Sequence, residues 1–174
     1  MSSTVKTEVI SWVKTILLAA ILAGAVNSFL IVNAEVPTGS MKNTIMTGDR
    51  ILALRTSYWF GEPERGDVAV FRYPDDPSGN TLYVKRVIGV GGDVVEIADG
   101  AVYINGEKLA EDYLAEVTYG DFGPYYVPQG CYFMMGDNRN HSLDSRYWEN
   151  KFVEEEEILG KVVLRYYKGF KWIS

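Results

Sequence analysis

Residues 81 to 90, Thr81-Leu82-Tyr83-Val84-Lys85-Arg86-Val87-Ile88-Gly89-Val90, decide how this 174-residue chain is read. The run is rich in β-branched and aromatic side chains and follows the turn cluster Asp75-Asp76-Pro77-Ser78-Gly79-Asn80, so it reads as a strand leaving a turn. Upstream of the turn, residues 68–71 read as a second, buried strand, and the two are expected to pair as a long-looped hairpin. Side chains alternate across a strand, which puts Lys85 on one face with Tyr83 and Val87 and turns Arg86 to the other. One cation can then be buried and its neighbour solvated.

Downstream, Gly91-Gly92-Asp93 turns the chain, residues 94–97 and 101–104 are short strands, and Asn105-Gly106 is a two-residue hairpin signal. Residues 131–135 form a further apolar strand that ends in Gly136-Asp137-Asn138-Arg139. Residues 154–157 are an acidic, solvated run, and residues 158–167 read as a closing strand. Upstream of the central pair, residues 49–54 are strand-like and lead into a loop around Gly61, Pro63 and Gly66. No repeat interrupts this pattern. It predicts one mainly β, mostly antiparallel domain over residues 34–174.

The N-terminal segment differs in kind. Residues 15–32 carry only Thr15, Asn27 and Ser28 as polar members, and at about 1.5 Å per residue they reach roughly 27 Å, close to a hydrocarbon core of about 30 Å. This predicts a single transmembrane helix over residues 15–33, with Trp12 at the interface. Lys6, Lys14 and the amino terminus precede the run and Glu35 follows it, which places residues 1–14 in the cytoplasm and residues 34–174 outside the membrane. A removable signal peptide cut after Ala34 is the rival, since Val32-Asn33-Ala34 presents small residues where cleavage sites lie. The run is longer than the usual signal core of about 7 to 15 residues.

Composition narrows the chemistry. A net charge of -6 with no basic face argues against nucleic acid. Cys131 is the only cysteine and reads as a small buried hydrophobe, so an intrachain disulfide, a thiolate metal cluster and a redox pair are excluded. His141 is the only histidine, which argues against a histidine metal site.

Between the apolar run and the first strand lies Pro37-Thr38-Gly39-Ser40-Met41. Pro37 holds the residue before it extended, and Gly39 leaves room for an approaching backbone, so the Ser40 hydroxyl can be presented as a nucleophile. An ordinary turn serine is the alternative. A nucleophilic serine needs a base, and Lys85, His141 and the carboxylates after Met135 are the candidates. Burial among Tyr83, Val84, Val87 and Ile88 can bring a lysine from about 10.4 to roughly 7 to 8, where it is neutral enough to accept a proton. A snorkelling lysine with a wet head group fits the same local pattern. His141 with Asp137 or Asp144 is a second arrangement. Residues 136–146 form a dense polar scaffold in which Asp144 and Arg146 can pair and pin the loop.

Taken together, these stretches resemble the bacterial type I signal peptidases, membrane-bound serine endopeptidases with a Ser-Lys dyad. The resemblance rests on four ordered motifs behind the apolar run. They are Gly39-Ser40-Met41 with Thr44 and Gly48-Asp49; Gly66-Asp67-Val68 to Phe71; Lys85-Arg86-Val87-Ile88-Gly89 with Gly92-Asp93; and residues 136–139 continuing through Ser142 to Asp144-Ser145-Arg146. It implies a compact form of the family, without a large accessory insertion, whose mostly β catalytic domain is held at the outer membrane surface. It implies that Ser40 attacks the scissile carbonyl and Lys85 takes its proton, that Thr38 and the Ser40 N–H form the oxyanion hole, and that Ser142 orients the lysine. Asp144 and Arg146 are then the supporting ion pair, and Val36, Ile45 and Val84 border small pockets suited to Ala-x-Ala-like sites. Signal peptides of exported precursors are the implied substrates, with the lipid bilayer and the export channel as partners and no cofactor or metal. Two departures concern loops: Asn43 stands where the family usually has proline, and Glu149-Asn150-Lys151 follows Trp148 where a glycine is common. Two other readings remain: a self-cleaving repressor-like peptidase, against which the missing basic domain counts, and a tethered β module that binds exported proteins without cutting them.

Overall fold

The computed structural model describes residues 3–167 and 169–173. Helix α1 (Ser3–Ala25) continues through a π-helical turn (Val26–Leu30). Within them the stretch Thr7–Leu30 is long and apolar enough to cross a membrane, with a mean hydropathy of 2.1, and none of its most apolar window is buried against the domain.

The helix starts earlier and stops sooner than the expected span of residues 15–33. Residues 31–33 belong instead to strand β1 (Ile31–Glu35), which pairs antiparallel with β2 (Arg50–Leu54) from Ile31↔Leu54 to Glu35↔Arg50. Val32 is buried in the core, so strand pairing and burial outweigh continuation of the apolar helix. Cleavage after Ala34 removes four of the five β1 residues, Val32 among them.

The central hairpin forms as the alternation predicts. Strands β3 (Val68–Arg72) and β4 (Leu82–Gly89) are antiparallel, with Ala69 opposite Lys85. The turn between them closes on Asp76, whose carboxylate accepts the Ser78, Asn80 and Thr81 backbone N–H groups. The remaining strands are β5 (Val94–Ala98), β6 (Ala101–Ile104), β7 (Glu107–Lys108), β8 (Phe122–Tyr126), β9 (Cys131–Met135), β10 (Val153–Glu154), β11 (Ile158–Arg165) and β12 (Lys171–Trp172). They make two antiparallel sheets. The larger runs β1-β2-β11-β3-β4-β9-β10 with β12 beside β11, and the smaller runs β7-β6-β5-β8. Asn105 (φ 53) and Gly106 (φ 84) supply the left-handed pair that the tight β6–β7 turn requires.

Three apolar clusters fill the interior. One, around Met41, Ile45, Ile51, Val70 and Val162, lies under the loop that carries Ser40. Another joins the smaller sheet to β4 and β9 through Ile88, Val95, Val102 and Phe133. The third sets Trp148 against Phe71, Tyr73 and Tyr83, with ring centroids 5.9, 5.5 and 5.9 Å away. The unusual turn after Trp148 is held by Asp75, whose carboxylate accepts the Glu149 and Asn150 N–H groups at 2.8 Å each.

Candidate active site

Ser40 sits in a loop tied at its base and nailed from beneath. The Val36 N–H donates to Asp49 and the Gly48 N–H to Val36, closing residues 36–49 at 2.9 and 2.8 Å. Met41 and Ile45 plunge fully buried into the core, so the residues on the far side of Ser40 cannot swing. Across from it, residues 136–139 grip the same loop: the Asn138 side-chain amide donates to the Gly39 carbonyl at 2.8 Å and its backbone N–H to the Ser40 carbonyl at 3.0 Å.

Lys85 reaches this loop from the middle of β4. Its Nζ lies 2.8 Å from Ser40 Oγ, 3.2 Å from the Val84 carbonyl and 5.0 Å from the Tyr83 ring centroid. The two side chains are 4% and 8% exposed, which removes water from the amine while leaving the hydroxyl at the edge of a cleft. Burial pushes the Lys85 pKa down from 10.5 to about 8, against the opposing pull of Asp144 and Asp137. An amine that is neutral near pH 8 and lies within hydrogen-bond reach of a hydroxyl has the chemistry to accept its proton.

Behind the lysine stand two buried ion pairs. Asp144 and Arg146 face each other in two parallel contacts of 2.8 and 2.9 Å, and Asp144 also accepts the Gly136 N–H at 3.0 Å. Arg86, expected to be solvated, is buried: it meets Asp137 at 2.9 and 2.8 Å and donates to the Gly66 carbonyl. Asp137 in turn accepts the Thr44 hydroxyl, and the Tyr113 ring covers the Arg86 guanidinium at 3.9 Å. A charge held bidentate and capped by an aromatic face tolerates burial that strand alternation alone does not foresee.

The cleft beside Ser40 encloses about 510 Å³ between residues 34–38 and residues 81–85. Val36, Val70 and Val84 form its apolar wall, and Leu143 and His141 stand on its rim. Ile45 lies elsewhere, fully buried beneath the loop with Met41. The Thr38 hydroxyl is 3.4 Å from Ser40 Oγ, so both face one space. Ser142 is buried next to Gly136 and its hydroxyl is without a partner among the described residues. Sequence reasoning singled out none of the partners that carry Arg139: Glu111 takes both of its terminal nitrogens, the NH1 contact at 3.0 Å. Only proximity in the folded chain identifies this partner, which lies 28 residues from Arg139 in sequence.

A family model described as signal peptidase, peptidase S26, matches residues 9–167. The chain belongs to the signal peptidase family. It is therefore a serine peptidase, and the cleft just described is its candidate active site. The chain is 41% identical over 155 residues to signal peptidase I of Bacillus licheniformis, covering 83% of this chain and 82% of that one. It is 38% identical over 157 residues to a probable signal peptidase I-2 of Synechocystis, covering 88% and 71%. A crystal structure of a signal peptidase I from Enterococcus faecalis is similar with a TM-score of 0.50 at 36% identity, covering 57% of this chain and 96% of that chain.

Proposed function

We propose that the chain is a membrane-anchored endopeptidase that removes N-terminal signal peptides from exported precursors, with Ser40 as nucleophile and Lys85 as general base. The observation that carries this reading is the 2.8 Å approach of Lys85 Nζ to Ser40 Oγ in a buried setting. As Ser40 Oγ attacks the scissile carbonyl, its proton passes to the Lys85 amine. The ammonium then gives that proton to the leaving amine, and the neutral lysine activates the water that hydrolyses the acyl-serine. The Ser40 N–H and the Thr38 hydroxyl donate to the oxyanion. Ser142, with its hydroxyl unspent, is available to the second N–H of the neutral lysine.

Residues Leu82 to Lys85 pair with β3 on one edge and border the cleft on the other, and residues 34–36 flank its opposite wall. An extended peptide can lie between them by strand addition, and the valine wall favours small side chains next to the cut. Ile45 supports that wall from beneath. The helix keeps the cleft at the outer membrane face with residues 1–14 in the cytoplasm, where the bilayer itself and the export channel deliver the substrate's apolar segment. Short soluble peptides, which lack that positioning, are expected to be poor substrates.

The test is cleavage of a signal-peptide-bearing precursor in lipid by the unmodified protein, Ser40→Ala and Lys85→Ala, with circular dichroism to establish folding. Each substitution is expected to lower the rate by at least about a hundredfold. A folded Ser40→Ala that cuts at the unmodified rate ends the proposal.

A further inference from the structure

The segment between β7 and β8, residues 109–121, touches none of the cleft, yet it holds two buried arginines, Arg139 and Arg86. It is tied to the smaller sheet through the Leu109 N–H to Val102 and the Thr118 N–H to Gly100. It is tied to the catalytic side through Asn140, whose side chain donates to the Val117 carbonyl and accepts the Tyr119 N–H at 3.0 and 2.8 Å. Between these anchors Glu111 and Tyr113 point inward. Glu111 grips Arg139, whose side chain is 0% exposed, and accepts the Tyr113 hydroxyl at 2.7 Å. The Tyr113 ring then lies over Arg86 at 3.9 Å and faces Arg139 at 6.0 Å.

Each arginine ends on the nucleophile loop. Arg86 holds Asp137, and Asp137 holds Thr44, four residues beyond Ser40. Arg139 donates to the Gly136 carbonyl at 3.1 Å, and a Cβ on Gly136 meets Ser142 Oγ at 2.3 Å and the Ser40 carbonyl at 2.4 Å. Any shift of residue 136 therefore reaches Ser40 and Ser142 directly. The smaller sheet is joined to the chemistry by this strap.

We propose that Glu111 and Tyr113 are positioning residues for the Ser40–Lys85 pair, clamping Arg139 and Arg86 so that residues 136–138 hold the nucleophile loop in register. The inference rests on the Ser-Lys reading of the site. It predicts a split in kinetics. The strap lies outside the cleft, so its loss leaves KM unchanged while misplacing the reacting groups lowers kcat. It also predicts the direction of a pH shift. Lys85 is faced by Asp137 and Asp144, by Arg86 and Arg146 behind them, by the Tyr83 ring and the Ser40 hydroxyl, and by Glu35 and His141 across the cleft. Loosening Arg86 leaves the Asp137 charge less compensated and admits water, and both effects favour protonated Lys85. The midpoint of the rate profile moves up.

The experiment uses the full chain in lipid, with Tyr113→Phe, Tyr113→Leu and Glu111→Gln measured for kcat, KM, pH midpoint and folded fraction. Tyr113→Phe keeps the ring and is expected to stay within about twofold of the unmodified protein, whereas Tyr113→Leu loses about tenfold in kcat with a raised midpoint and an unchanged KM. Glu111→Gln leaves Arg139 buried without its ion-pair partner, and where it folds it is expected to behave like Tyr113→Leu. A Tyr113→Leu protein with unmodified kcat and midpoint overturns the inference, and so does a kcat that falls only in step with the folded fraction. Ser40→Ala is run alongside: if it still cuts, the reading of the site fails, whatever Tyr113 does.

Discussion

Lys85 is where stability and chemistry pull against each other. Its folded pKa of about 8 lies below the ordinary 10.5, so at neutral pH the fold holds an ammonium it would rather not bury. The unfolded chain binds more protons between those two values, and stability therefore rises with pH across that window and is lost as pH falls through about 8. Lys85→Met is accordingly expected to be more stable than the unmodified protein by about 3 kcal/mol at pH 7, a difference that vanishes above the unfolded lysine pKa. Denaturant unfolding at two pH values checks this, and equal stabilities at pH 7 contradict it. Gly136→Ala is a second residue-scale test. Its Cβ meets Ser142 Oγ at 2.3 Å and the Ser40 carbonyl at 2.4 Å, so the variant is expected to lose cleavage by at least about a hundredfold.

Among the elements, the loop that carries Ser40 departs most from what the family resemblance leads one to expect. Asn43 has a φ of 86°, a left-handed conformation that asparagine tolerates and that proline, fixed near -65°, cannot adopt. Asn43→Gly is expected to match or exceed the unmodified stability by up to about 1 kcal/mol, whereas Asn43→Pro lowers both stability and activity by displacing Thr44 from Asp137. Thermal melts and cleavage rates separate the two outcomes. The strands that alternate or run apolar, β3, β4, β5, β6 and β9, were legible in sequence because local pattern and tertiary burial agree there. Strand β1 was not, since Ile31 and Val32 continue an apolar run and only pairing with β2 makes them extended. Strand β8 contains Gly123 and Pro124 at a sheet edge, where proline is tolerated but gives no strand signal.

For the whole molecule, β1 makes the apolar helix and the β domain continuous, because the chain leaves the helix directly into the edge strand that ends beside Ser40. A chain beginning at Ile31 is expected to fold and to cut a detergent-solubilised precursor, while one beginning at Val36 loses β1 and melts roughly 5 to 10 °C lower. Equal melting temperatures contradict this. That Ser40 meets Lys85 and Asp144 meets Arg146 was readable, because few residue types can make such pairs and the chain offers few candidates. The burial of Arg86 and the contacts of Glu111 and Tyr113 were not, because they depend on partners distant in the chain: Asp137 lies 51 residues from Arg86, and Glu111 lies 28 from Arg139.

The most direct measurement is the rate of precursor cleavage from about pH 6 to about pH 10 by the unmodified protein and by His141→Ala. A single rise with a midpoint near 8 in both proteins is the predicted result, since a Lys85 amine proposed as general base acts only after losing its proton. A midpoint near about 6.5 that disappears with the histidine contradicts the Ser40–Lys85 account and assigns the base to His141.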